Sequence, residues 1–391
     1  LMKKWLSRNL LLLTLVSLAQ DAASDLLYPL LPYIITAGVI GAAPIALGFI
    51  EGCAEFAAGL GKLLTGRASD YRGRKPFIVI GYFLAGIGKV FIIFATIWQF
   101  AFLGRVTDRI GKGIRSTARD AMIHDSVEPQ YLGRAFGFHR TGDNIGAVIG
   151  PLLALLALVL LKDDVGAVAK WAIIPALVSG VLTLFVRETV KATRVPRSER
   201  PAYPKLDTSI KKTIAILVAI QLTNIPDAFL LLRLYDLHFS VQSVVLVYAA
   251  YNFVAVLFAY PAGVIVDRLR PSAVYGVGLL AFTCGYLILG YTQSHAWAVI
   301  GFLIYGLFPP LTDGVGKAWI AQHATEHQRG RAQGVYQSSM NFAVLAAGLW
   351  GGALWGKSSV QPALVIAAIG AALGAIFFLG SFLRENLANR S

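Results

Sequence analysis

The stretch from Arg105 to Asp120, RVTDRIGKGIRSTARD, holds five basic and two acidic side chains in a chain whose neighbouring residues are apolar. Arg105, Asp108, Arg109, Lys112, Arg115, Arg119 and Asp120 are spaced so that, at about 100° per residue, all seven fall within an arc of roughly 140°. Val106, Ile110, Gly111, Ile114 and Ala118 fill the opposite side. A solvated loop has no reason to sort its charges in this way, so the spacing predicts a helix with one polar face. Guanidinium groups suit carboxylate or phosphate because their donors match both oxygens. Arg105, Arg109 and Lys112 are therefore expected to hold an anionic or zwitterionic solute, with Asp108 among them. The alternative is that Asp21, Asp25 and Glu51 neutralise these cations in a structural network, and the sequence leaves both open. Arg115, Arg119 and Asp120, toward the other end, are expected at a gate with Arg140 and Asp143.

Other polar groups stand in apolar runs. Gln20, Asp21, Ser24, Asp25 and Tyr28 recur at spacings of three and four, one face of a helix. Gln221, Asn224 and Asp227 flank Pro226, which frees backbone groups and permits a bend. A carboxylate inside a membrane is costly and marks a site or a proton path. Asp25 and Asp227 are the first proton-coupling candidates, followed by Glu51 and Glu55, and a static salt bridge is the alternative for each. Asp21, Tyr28, Asn224 and Tyr305 complete the expected substrate set. In the later half, Pro309 and Pro310 predict a bend before Asp313 and Lys317.

The elements that position these groups follow from composition. The chain has 391 residues, 56% hydrophobic and 14% charged, and a mean hydropathy of +0.64. Soluble domains carry about 25% charge, so the chain is expected to be an all-α integral membrane protein. Twelve spans are predicted, near 10–35, 43–65, 76–97, 98–122, 134–160, 170–187, 211–234, 241–266, 272–291, 295–321, 332–356 and 360–384, each of roughly the 20 residues that cross a bilayer. The first run extends past Asp25 to Tyr33, too far for a signal-peptide core, and is expected to be a retained helix. The net charge of +14 belongs to loops rather than to nucleic-acid binding: Arg67, Arg72, Arg74 and Lys75, the connection around residues 187–212, Arg268 with Arg270, and Arg329 with Arg331 alternate with loops that hold little beyond Lys162 and Lys357. Lys and Arg collect on the cytoplasmic side, so both termini are expected in the cytoplasm and the protein in the cytoplasmic (inner) membrane. Cys53 and Cys284 lie in apolar runs and carry no disulfide framework. The histidines form no metal-ligand spacing, and no cofactor is expected.

The chain repeats itself. GRAFG at 133–137 matches GRAQG at 330–334, and GRASDYRGRK at 66–75 sits opposite GVIVDRLRP at 263–271, both at an offset of 197. SDLLYPLL and PDAFLLLR correspond nearby, with Asp25 opposite Asp227. A shorter echo, TDRIGK against TDGVGK, needs an offset of 205 and breaks the gapless match. Two pseudo-symmetric six-helix halves are therefore expected, residues 1–190 and 211–391, joined by a charged, Pro-rich cytoplasmic linker at 191–210. At offset 197, Arg105, Arg109, Lys112, Arg115 and Arg119 align with Phe302, Gly306, Pro309, Thr312 and Gly316. The charge was added to one half of a duplicated frame.

Gly66-x-x-x-Asp70-x-x-Gly73-Arg74-Lys75, with its decayed copy 197 residues later, resembles the loop signature of the major facilitator superfamily. The resemblance covers essentially the whole chain. It implies a twelve-helix secondary transporter working by alternating access around a midplane site, with Gly66, Asp70, Gly73, Arg74 and Lys75 as a conformational latch. Gly146, Gly150 and Pro151 are similar to an element that in this superfamily accompanies proton-linked export, and small residues four apart also let helices pack closely. The expected function is proton-coupled antiport of a small organic solute by a monomer in the lipid bilayer. The alternative is a proton-coupled importer, or an exchanger of an organic anion. No ATP-binding motif and no nucleophile–base pair points to an enzyme.

Overall fold

The computed structural model describes residues 6–189, 205–325, 328–356 and 360–388, and only the backbone at 66, 67, 70, 71, 266–268, 329, 330 and 384–388. Most of the 191–210 linker, the extreme termini and Lys357 lie outside the described residues, as do the side chains of Asp70 and Asp267. Fifteen α-helices follow in order among the described residues: α1 (Arg8–Leu27), α2 (Pro44–Arg72), α3 (Lys75–Ile93), α4 (Trp98–Asp125), α5 (Leu132–Leu160), α6 (Val165–Lys170), α7 (Ile173–Leu184), α8 (Thr208–Gln221), α9 (Ala228–Asp236), α10 (Val241–Arg268), α11 (Pro271–Tyr291), α12 (His295–Tyr305), α13 (Phe308–His323), α14 (Arg329–Ala353) and α15 (Pro362–Ala388). The pairs α6–α7, α8–α9 and α12–α13 are single crossings interrupted by a few residues. This leaves the twelve segments the hydropathy predicts.

Local chemistry accounts for starts and breaks. Ser7 caps α1 by accepting a hydrogen bond from the Leu10 amide at 3.1 Å. Past Leu27, where Pro29 removes a backbone donor, the crossing continues through a tight turn (Tyr28–Leu30) and a wide one (Tyr33–Ala37). Among the described residues, nine crossings are long and apolar enough to span a membrane by length and composition alone. The other three are α4, which carries the charged face, the interrupted α8–α9, and α14, whose first half reads RGRAQGVYQSSMN.

The chain forms two compact units, Leu1–Ala42 with Cys53–Ala202, and Ala43–Gly52 with Tyr203–Ser391. The opening of α2 thus packs with the second unit, where Gly48 and Gly348 meet backbone to backbone. In the first unit the strongest packing is α3 on α4 and α1 on α5. An ideal Cβ at Gly146 would lie 2.5 Å from the Leu18 carbonyl oxygen, and one at Gly150 2.6 Å from that of Ala22. The Gly146/Gly150 element is therefore a close-approach seam between α1 and α5.

The duplication is visible in the packing. In α3–α4 a Cβ at Gly88 would lie 2.5 Å from the Gly104 oxygen. In α11–α12 a Cβ at Gly285 would lie 2.7 Å from the Gly301 oxygen. A Cβ at Gly81 meets Arg115 at 2.6 Å, and one at Gly278 meets Thr312 at 2.8 Å. All these pairs stand 197 apart, so the gapless register, and not the 205 echo, is the structural one.

Candidate functional site

Two polar clusters stand out, one in each unit. The first surrounds α4. The glycine seam brings α3 so close that Lys89, almost fully buried, reaches Asp108: Nζ donates to Oδ1 at 2.7 Å. Arg105 Nη1 approaches the other oxygen of Asp108 at 3.5 Å, and its guanidinium lies 5.2 Å over the Tyr28 ring of α1. One carboxylate thus serves two cations, and the triad keeps a net positive charge. Arg109 pairs through Nε with Glu55 of α2 at 3.2 Å. Arg115 is buried with its guanidinium 4.3 Å over the ring of Tyr82 on α3. Arg119 donates to Ser17 of α1 at 2.8 Å and to Asp120 at 2.9 and 3.0 Å. Lys112 is exposed, with no hydrogen bond or ion pair among the described residues.

The single polar face read from the spacing is therefore divided among three neighbours. Asp108 and Arg115 turn to α3, Arg109 to α2, and Arg105 and Arg119 to α1. Charges buried in an apolar medium persist only when paired in this way. Among the described residues, carboxylates that pair with the α4 cations include Asp108, Glu55 and Asp120. Asp21 and Asp25 lie on the face of α1 that packs against Gly146 and Gly150. Lys89 escaped the sequence reading, although a lone lysine in the apolar run GIGKVFII was a signal for it. His139 stands 3.6 Å from Asp143 and 3.5 Å from the Thr14 hydroxyl, while Arg140 is exposed.

The loop before α3 is tied to the same unit. Arg74 pairs with Asp125 at the end of α4. The Lys75 amide donates to Glu188 Oε2 at 2.8 Å and its Nζ to the Leu184 carbonyl at 2.8 Å. Gly73 has φ +86°, a left-handed conformation that glycine adopts without strain, and a Cβ there would lie 2.7 Å from Glu188. Asn9 brackets Arg187, donating to its oxygen at 2.9 Å and accepting from its nitrogen at 3.0 Å. Asp125 and Glu188 complete the basic loop and were invisible to motif reading, because they lie far from it in sequence.

The second cluster is built on the α8–α9 interruption. Residues 222–227 leave the helix around Pro226, which frees carbonyls that a membrane cannot hydrate. Neighbours satisfy them. Trp350 Nε1 donates to the Leu222 oxygen at 2.8 Å, and the Tyr286 hydroxyl to that of Ile225 at 3.2 Å. Asp227, at the head of α9, accepts from the Tyr305 hydroxyl at 2.5 Å on Oδ1 and from the Tyr251 hydroxyl at 3.1 Å on Oδ2. No cation among the described residues pairs with it. Tyr305 is only 1% exposed, so its hydroxyl is committed to Asp227. Asn224 sits in the same break, and its Oδ1 has no hydrogen-bond partner among the described residues. Glu51 is buried in the part of α2 that belongs to this unit. Among the described residues no group of His, Cys, Asp or Glu could hold a metal ion.

Twelve helical crossings, the duplicated seams and the basic loop can now be set beside known proteins. The profile of the Major Facilitator Superfamily matches residues 13–232 and 213–390. The chain belongs to the major facilitator superfamily. An uncharacterized transporter of this type from Methanocaldococcus jannaschii is 30% identical over 361 residues, covering 90% of this chain and 89% of the relative. The class H tetracycline resistance protein of Pasteurella multocida is 23% identical over 334 residues, covering 78% and 80%. Among solved structures, a D-xylose–proton symporter superposes with a TM-score of 0.76 at 17% identity, covering 94% of this chain and 96% of that one. The protein is thus a multi-pass membrane transporter of this superfamily, whose fold implies a lipid bilayer and a small-molecule substrate.

Proposed function

We propose that this superfamily member is a proton-coupled exporter of a small organic solute, working by alternating access as a monomer. The observation that carries the reading is the setting of Asp227. It is a carboxylate at a helix break whose partners are two neutral hydroxyls rather than a cation. A proton added there strands no counter-ion among the described residues, whereas one added to Asp108 would remove the ion-pair partner of the buried Lys89. The direction rests on the resistance named for the Pasteurella multocida relative, since a transporter protects a cell by removing a compound. Asp25 is the next candidate for the proton. Gly66, Asp70, Gly73, Arg74 and Lys75 act in this reading as the latch, with Asp125 and Glu188 as its anchors. Arg119, Asp120, Arg140 and Asp143 act as the gate.

The test is flux in proteoliposomes that enclose a pH-sensitive dye, with a panel of organic cations, zwitterions and anions added outside. One class of solute should move protons in the opposite sense to itself. Asp227→Asn should abolish that proton movement while solute exchange continues. Proton-coupled flux that persists in Asp227→Asn removes the carboxylate from the pathway.

One observation favours a second reading, exchange of an organic anion: Lys112 is exposed on α4, one turn from Arg109, with no ion pair among the described residues. In that case Lys112→Ala weakens transport of anions selectively, and cations are unaffected.

A further inference from the structure

We infer that Tyr305 and Tyr251 are positioning residues for Asp227, and that the three form a clasp between two helix breaks that a proton on Asp227 weakens. This rests on the reading of Asp227 as the proton carrier. Asp227 opens α9 directly after the break at 222–227. Tyr305 is the last residue of α12, directly before the interruption at Gly306 and Leu307. The 2.5 Å bond therefore joins one discontinuity to the other. Tyr251 reaches the same carboxylate from the middle of α10, and its ring borders the second break, since a Cβ at Gly306 would lie 3.3 Å from Tyr251 Cδ2.

The rings are held in place. Tyr251 and Tyr305 stack nearly parallel, with centroids 5.8 Å apart and planes 8° from each other. Phe302 meets Tyr251 edge-on at 5.3 Å, and Phe282, Tyr286 and Phe308 surround Tyr305 at 5.3 to 5.7 Å. Rings packed this way aim both hydroxyls at one carboxylate and hold their oxygens in place.

The ionised carboxylate accepts two hydrogen bonds, one on each oxygen. A proton taken from the aqueous phase forms an O–H bond on one of them, and that oxygen becomes a donor. The longer bond, Tyr251 to Oδ2, marks the oxygen that takes it. The Tyr251 hydroxyl then turns its hydrogen away and accepts from the new O–H, so the charge-assisted link from α9 to α10 becomes a weaker neutral hydrogen bond of opposite direction, and Tyr305 keeps Oδ1. The other groups facing Asp227 do not compete for this role. Tyr286 of α11 is committed to the Ile225 carbonyl, and Asp313 of α13 and Glu51 of α2 are carboxylates that cannot donate when ionised.

Protons alone are the probe for the test. Infrared difference spectra are recorded as a function of pH on the full-length protein in lipid vesicles. Wild type should gain a carboxylic-acid carbonyl band on acidification that is missing in Asp227→Asn. Tyr251→Phe and Tyr305→Phe keep the rings and their stacking. Each should displace the pH midpoint of that band by about one pH unit, roughly tenfold in proton affinity, as expected for loss of a hydrogen bond to a charged group. Unfolding temperatures report whether the rings still pack. A band that depends on Asp227 but keeps its midpoint in both phenylalanine variants overturns the clasp and leaves the carrier in place. Absence of any band that depends on Asp227 overturns the carrier, and the clasp with it.

Discussion

The two units treat the same position of a duplicated frame in opposite ways. In the first, Lys89 of α3 meets Asp108 of α4 across a glycine seam, and the contact is an ion pair. In the second, 197 residues on, Tyr286 of α11 meets Tyr305 of α12 across the equivalent seam, with ring centroids 5.3 Å apart. The ionic version fixes charge: Asp108 is bound by two cations, and Glu55 by Arg109. The aromatic version leaves Asp227 beside it with hydroxyl partners among the described residues. A carboxylate locked by cations gives a permanent wall of charge, while one held by neutral donors can exchange a proton. Duplication supplied the backbone geometry twice, and substitution at two facing positions divided the labour.

The comparison breaks most easily at Asp108. Asp108→Ala takes the ion-pair partner from the buried Lys89 and should lower the unfolding free energy by about 3–5 kcal/mol, measured by denaturation in detergent micelles. The exchange Lys89→Asp with Asp108→Lys should recover part of that loss. A cost near zero for the single variant would mean that the pair is solvated and not locked. The seams come next. Gly88→Ala and Gly285→Ala each force a methyl against a backbone oxygen and should cost about 1–3 kcal/mol. Gly86→Ala, where a Cβ meets nothing within 4 Å, is the control and should cost far less. Unequal penalties for Gly88 and Gly285 would show that the two seams are not equivalent. Asp227→Asn should cost only about 1 kcal/mol, because the amide still serves one tyrosine as acceptor and can donate to the other, while proton-coupled flux disappears. Smallest is Lys112→Ala, within about 0.5 kcal/mol in stability, as for an exposed side chain without partners. Its effect is expected in transport of anionic solutes, read as a higher KM with unchanged kcat.

Much of this was legible before any coordinate. Apolar runs of bilayer length fixed the crossings, and the charged face of α4 followed from spacing alone. The offset of 197 located the repeat, and the glycine contacts at 88 and 285 show that it is also the packing register. The α8–α9 break was foreshadowed by Pro226, and Asp227 was picked out as an intramembrane carboxylate. Tyr305 was read as a solute contact, but the structure buries it against Asp227. Arg115 was expected toward a gate, and it lies buried under Tyr82. In both cases the polar residue is buried. The neighbour that claims it lies on a different helix.

The sequence by itself determined which segments cross, that they repeat, and which polar groups must be sheltered, because these depend on periodicity and on the cost of charge in hydrocarbon. Tertiary structure alone decided who shelters whom: Lys89 with Asp108, Arg109 with Glu55, Arg74 with Asp125, Asp227 with Tyr251 and Tyr305. The physical reason is distance. Whether a charge finds a cation, a hydroxyl or nothing depends on how closely two helices approach and at what register. That approach is set by glycines and breaks acting between segments far apart in the chain.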